Sequence, residues 1–306
     1  MGNQSDKQYE TEWSFSFEGV GDCLRDAVGS FDFDEEIKAA SYSQPIEDTE
    51  SATVNLHGAL GKTTVKSLVD SKNLFEADLA YVGEVEFNVT GDTEKTVTLR
   101  QKSRLNFKGL FRRNLEGLHW DVRVSPDLPI TLNAHGTVGP TVFDLSGLHL
   151  KSVSMHGVVA QSELVLPTDQ DGYSVHIHGN VGPLKVTMPE NTGIDMHIHG
   201  NVGKTEIDFP KNAGTTTLNL HGSVGKVQIA VAPETAVRVV TNGNVGSVRT
   251  PGHIRRAKAR KSFIVASGTW ETDGFDAADR KITIRMQGGV GSLSVVSDDP
   301  NKTVRV

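Results

Sequence analysis

The chain has 306 residues, of which 37% are hydrophobic and only 6% aromatic, with 31 glycines and a formal net charge of −7. That length can bury a sizeable core, the acidic balance argues against a dedicated nucleic-acid binder, and a single cysteine, Cys23, excludes an internal disulfide framework. No window of about 18 apolar residues offers a membrane span, and the opening residues lack the basic-then-apolar layout of a secretory signal, so the expectation is a cytoplasmic soluble protein.

Residues 1–50 read as an N-terminal arm. Trp13–Phe17 alternates like a short strand, Asp22–Val28 fits a helical turn, and Asp32–Glu36 is a run of acid. Residues 51–118 read as a β meander leading into a first coil. Its alternating runs are Thr53–His57, Thr63–Lys66, Phe75–Tyr81, Glu84–Val89 and Thr96–Arg100, with turn residues between them. Lys108–Asn114 reads as an exposed loop.

Residues 119–306 carry a repeat. A His-Gly pair, or a relic of one, stands at His57, His135, His156, His178, His199, His221, Asn242 and Gln287. From His135 to Asn242 the intervals are 21, 22, 21, 22 and 21 residues, and a fixed period of this size marks a stacked array. The fold class is therefore all-β: a parallel β-solenoid with about 21–22 residues per coil, continuous with the preceding meander as one domain over 51–306. Each unit has two strands around a G-x-V-G corner. In the unit Gly193–Pro210, alternation sends Ile194, Met196, Ile198, Thr205, Ile207 and Phe209 inward. Asp195, His197, His199, Glu206 and Asp208 go outward. The corner valines, Val181 and Val202, are expected to return to the core. Residues 251–282 interrupt the rhythm, with Phe263–Ala266 reading as a strand, and Lys281–Val296 reads as the final coil. The arm and the tail beyond Val296 are expected to cap the ends, with end-to-end assembly as the alternative.

The order of landmarks resembles the toastrack domain, the C-terminal domain of LiaF-type and some PspC-type bacterial envelope-stress proteins. The residues that carry the resemblance are Leu74–Leu79, Val85–Phe87, Val97–Gln101, Trp120–Ile130, Phe143–Leu148, the G-x-V-G corners, and Gly274–Ile282 followed by Gly288–Gly291. The resemblance covers roughly residues 50–296. It implies a β-helical sandwich without catalytic residues, used as a sensor or scaffold beside membrane partners. The chain departs from the family in lacking a transmembrane helix and in reading His-Gly where the family reads Gly-Gly.

Eight of the eleven histidines fall on the repeat, so they share one geometry. His-x-His on a strand puts both rings on one face, and His176, His178, His197 and His199 form a two-by-two grid if coils stack in register. Imidazole suits zinc and other transition metals, which makes these four the metal candidates. The plainer reading is a ladder of stacked polar side chains; a third is a pH-sensitive surface. The ligand or partner surface is drawn over His135, His156, His176, His178, His197, His199 and His221, with the basic run Arg255, Arg256, Lys258, Arg260 and Lys261. That run can grip phosphate, anionic lipid or an acidic partner, or be a solvated loop. No nucleophile, phosphate-loop or Cys-x-x-Cys template is present. The outward acids Glu163, Glu206 and Asp208 keep a polysaccharide-acting β-helix enzyme open as an alternative. The reading is a noncatalytic scaffold or sensor acting through protein partners, membrane-associated ones included, and through homo-oligomerisation. It needs no cofactor, and a His-ladder metal-binding protein is the alternative.

Overall fold

The computed structural model describes residues 37–102, 117–243, 245–259 and 267–297. Alternating Val, Ile, Leu and Thr produce strands that bury every second side chain, and among the described residues the strands join into one 21-stranded sheet. That sheet is folded into two walls around a shared apolar core. A single 3-10 turn, Phe275–Ala277, interrupts it.

Each coil places one strand in each wall. The regular coils pair β8 (Ile130–His135) with β9 (Thr141–Asp144), β10 (Leu150–His156) with β11 (Ser162–Val165), β12 (Tyr173–His178) with β13 (Leu184–Thr187), and β14 (Ile194–His199) with β15 (Thr205–Asp208). Successive coils are parallel and in register, for example Ile177 opposite Ile198 and Val186 opposite Ile207. β16 (Thr216–Val231) and β21 (Lys281–Ser297) run through the corner without a break, which joins the walls into one sheet. The inward residues Met196, Ile198, Ile207 and Phe209 are buried, as alternation requires.

The order of coils departs from the sequence at both ends. Residues 51–118 were expected to form a meander before the stack. Instead β2 (Ser51–His57) lies parallel between β6 (Glu94–Lys102) and β8. Likewise β3 (Lys62–Ser67) lies parallel between β7 (His119–Val124) and β9. The β2/β3 segment is thus a full coil inside the stack, and β6/β7 is the coil outside it. The far end repeats the device. β21 lies between β16 and β17 (Ala236–Asn242), and also pairs with β18 (Ser247–Arg249). Lys281–Ser297 is the final coil in sequence but not in space.

Antiparallel strands finish both ends. β5 (Glu84–Thr90) covers β6, while β4 (Asn73–Tyr81) covers β7 and β1 (Lys38–Pro45) covers β4. Part of the segment read as a loose arm is therefore a strand paired along its length. The aromatic rings of Tyr42 on β1 and Phe87 on β5 meet at 5.0 Å, and Phe75 and Phe87 at 5.7 Å, closing the walls over the core. At the other end β20 (Gly268–Thr272) covers β17 and β19 (Ile254–Ala259) covers β20. The readings made for Trp13–Phe17, Asp22–Val28, Asp32–Glu36, Lys108–Asn114, Phe263–Ala266 and the tail from residue 298 lie outside the described residues.

The corners are the tightest points. A Cβ added to Gly203, at φ 138°, would sit 2.5 Å from the carbonyl oxygen of Gly182 in the coil before it. Ala160 occupies the equivalent position at φ 129°, a region that L side chains avoid. Gly203→Ala is expected to cost about 1–3 kcal/mol. Ala160→Gly, which relieves its Cβ, is expected to add about 1 kcal/mol. Thermal unfolding of the two variants beside the parent chain checks both signs.

Candidate functional site

The outward positions of one wall stack into columns. The column immediately before each corner contains His57, His135, His156, His178, His199 and His221, each opposite the next in register. Arg100 stands opposite His57 at one end. Gln287 follows His221 at the other, and Asn242 follows Gln287. Ring centroids are 5.0 Å apart for His57–His135 and 4.8 Å for His135–His156, His178–His199 and His199–His221, with planes within 14°. His156–His178 is the looser step, at 5.6 Å and 41°. The spacing is the strand spacing itself, so the rings stack because the backbone does.

A second column runs two residues earlier on the same face. It reads Asn55, Asn133, Ser154, His176, His197, Asn219 and Arg285. Here only His176 and His197 are imidazoles, stacked at 5.1 Å and 14°. The expected two-by-two grid of His176, His178, His197 and His199 is therefore present. Its rings lie face to face, so their nitrogens, which lie in the ring planes, run side by side rather than converging. Among the described residues no three His, Cys, Asp or Glu side chains form a group able to hold a metal ion. Asp195 Oδ1 lies 3.2 Å from His197 Nε2 and accepts from Asn219 Nδ2 at 3.4 Å.

Burial holds several of these imidazoles neutral. His57 is pushed below the usual histidine value first by burial and then by the Arg100 charge. His135 is lowered by burial and by His57, and His156 by burial and by His135, His178 and His176. His199 is lowered by burial and by His178 and His221. For these four, burial disfavours the charged form and a neighbouring charge adds to it.

The basic run is a strand, not a loop, over Ile254–Ala259. The Arg256 guanidinium stands 5.3 Å over the Trp270 ring and donates to the Ser267 carbonyl at 3.2 Å. Arg255 and Asp273, both exposed, lie 4.0 Å apart. Lys258 is opposite Thr269 in the strand register. Arg260 and Lys261 lie outside the described residues.

On the second wall Glu206 and Asp208 share the outward face of β15, and Glu163 stands two coils earlier. Glu163, Lys185 and Glu206 follow one another across adjacent coils, so a lysine separates the carboxylates. Lys185 lies 3.9 Å from Glu163, and Lys204 lies 2.5 Å from Glu206. An open cleft of about 600 Å³ sits among the turns, lined by Pro126, Gly147, His149, Thr168, Asp169 and Asp171. Its Asp169 accepts from Asn191 Nδ2 at 3.0 Å.

Two features escaped the sequence reading. Arg100 ends the imidazole column, and the signal was its place after Leu99, where the units at His57, His178, His199 and His221 read Leu-His or Ile-His. The other is the corner. Val181 and Val202 are only half-buried, and Asn180 and Asn201 turn inward instead. A buried amide must find partners. Asn180 Nδ2 donates to Asn201 Oδ1 at 2.9 Å, Asn201 Nδ2 to Thr205 Oγ1 at 2.5 Å, and Ser162 Oγ to Asn180 Oδ1 at 3.4 Å. Where the inward corner residue is Ala59 or Thr137, the next residue, Leu60 or Val138, is buried as well.

These features define a capped parallel β-solenoid whose walls carry stacked polar columns. Residues 31–187 match the family described as the N-terminal domain of toast_rack, DUF2154, and the chain belongs to the toast_rack family. No curated protein matches the chain. Among solved structures it is similar to a proposed cell adhesion protein of Clostridium sporogenes, at 15% identity and TM-score 0.41, over 86% of this chain and 100% of that one. A proposed adhesin of Bacteroides fragilis aligns at 11% identity and TM-score 0.33, over 85% of this chain and 97% of that one. No helix among the described residues is long and apolar enough to cross a membrane.

The column makes stability fall in acid. The unfolded chain takes up protons at these histidines near pH ~6.5, while His57, His135, His156 and His199 take them up only at lower pH in the fold. Their contribution is complete above about pH 6.5 and is lost as pH drops through the folded values. Glu76 and Asp78 are also lowered, by hydrogen bonds from Asn73 and from Ser41 respectively. Their loss comes further into acid, below the usual carboxylate values. The melting temperature should therefore decline as pH falls below about 6.5, and His135→Gln/His156→Gln should flatten that decline. Thermal unfolding at half-unit pH steps measures it.

Proposed function

We propose that this chain is a noncatalytic interaction domain whose two flat walls are its working surfaces. The observation that carries the reading is the pattern of the outward columns. On the second wall each half-buried carboxylate of the Glu163–Lys185–Glu206 series has a lysine beside it, a charge-compensated row that suits a protein partner. The family supports the same reading, and the likeness to LiaF-type and PspC-type proteins extends it to a sensor of envelope stress that meets membrane-associated partners. Photo-crosslinking residues placed at Lys185 and at His178 in the living cell test this. We expect one discrete protein adduct from at least one wall, weakened several-fold by Glu163→Lys/Glu206→Lys or by His156→Gln/His199→Gln in the corresponding wall. The absence of a discrete adduct from either wall, or the release of reducing sugar ends from a polysaccharide panel, would overturn it.

The same reading takes the imidazole column as a stack and not as a metal centre. Parallel rings at one strand spacing share hydrophobic and dispersion contact along their faces, whereas zinc asks for nitrogens about 2.0–2.1 Å from a common point in a tetrahedral set. Titration calorimetry with Zn²⁺ or Ni²⁺ is expected to give equal heats for the parent chain and for the His176→Ala/His178→Ala/His197→Ala/His199→Ala variant. Stoichiometric binding lost in the variant would replace the stack with a site.

A further inference from the structure

The two ends of the imidazole-bearing wall are chemically opposite. At one end, among the described residues, β5 is hydrogen-bonded only to β6. At the other, β19 is hydrogen-bonded only to β20. β5 exposes Glu84 and Glu86, the latter 3.1 Å from Lys102 of β6, and β19 exposes Arg255 and Arg256. The strands are similar in length, seven and six residues. We propose that copies of this chain join head to tail, the basic β19 edge of one copy pairing with the acidic β5 edge of the next.

The strand directions permit this. β6, β21 and β17 run parallel to the coils between them, whereas β5 runs against β6. β20 runs against β17 and β19 runs against β20, so β19 again follows the coil direction. A second copy stacked along the same axis therefore meets β19 with β5 antiparallel, the pairing with straight inter-strand hydrogen bonds. Edge pairing of this kind draws its affinity from main-chain hydrogen bonds. The charges set the direction. Two β5 edges repel and so do two β19 edges, because like charges opposed across strands are unfavourable, which leaves only the unlike pair. The second wall ends in β1 at one side and in β18, three residues long, at the other, so it adds little. A contact between two different patches does not close on itself unless a rotation brings it round, and the product is a ring or an open filament.

The proposal is independent of which partner the walls take, so its failure leaves the preceding reading intact. Sedimentation velocity of the full chain at rising concentration, at about 20 mM and about 500 mM salt, tests it, since salt screens such a contact. We expect oligomers that grow with concentration at low salt and dissociate at high salt. Glu84→Lys/Glu86→Lys alone, and Arg255→Glu/Arg256→Glu alone, should each stay monomeric. Mixed in equal amounts, the two variants should assemble again, because each restores the other's complement. A misfolded variant could not recover assembly in this way. A parent chain that remains monomeric at low salt, variants that assemble alone, or a mixture that stays monomeric would each overturn the proposal.

Discussion

Everything in this molecule depends on coils lying in register at one strand spacing. At the corner the backbone of one coil passes so close to the next that Gly203 meets the carbonyl of Gly182 with no room for a Cβ. The single-residue bridges Leu60–Val138–Val159–Val181–Val202–Val224 run along the same corner. A slip of one residue would turn every inward side chain outward. It would also set side chains against the corner carbonyls, so register is held by shape and by burial together.

Register in turn makes columns unavoidable. A residue type repeated every coil becomes a stack, whether Ile177 and Ile198 inside or His178 and His199 outside. Inside, the columns form one apolar core in which Asn180 and Asn201 are accommodated by bonding to each other and to Ser162 and Thr205. Outside, burial first and neighbouring charge second lower the proton affinity of His57, His135, His156 and His199.

Repetition leaves the ends to be solved separately, because a parallel stack exposes an unpaired strand at each end of each wall. This chain answers with interleaving. The β2/β3 and β21 coils are enclosed between neighbours, and antiparallel strands lie outside them. Enclosing a coil gives its strands a neighbour on each side, over only Ser292–Ser294 where β21 meets β18. It also leaves β5 and β19 as the outer strands of the imidazole-bearing wall, with Glu84 and Glu86 exposed on one and Arg255 and Arg256 on the other.

The period, the inward and outward faces and the outward histidines were legible in the chain alone, since alternation and a repeat of 21 or 22 residues determine which side of a strand each residue takes. Residues such as Trp120–Ile130 and the Gly274–Ile282 run were enough to indicate the family. Which coil lies beside which was decided only in three dimensions. Leu56-His57 and Leu99-Arg100 have the same inward-outward pattern, and a pattern specifies the faces of a strand without naming its neighbours. The same ambiguity hid the corner. Asn180 is polar and Val181 apolar, yet the turn directs the asparagine inward, where Asn201, one coil away in space and 21 residues away in sequence, supplies the hydrogen bond that makes its burial tolerable.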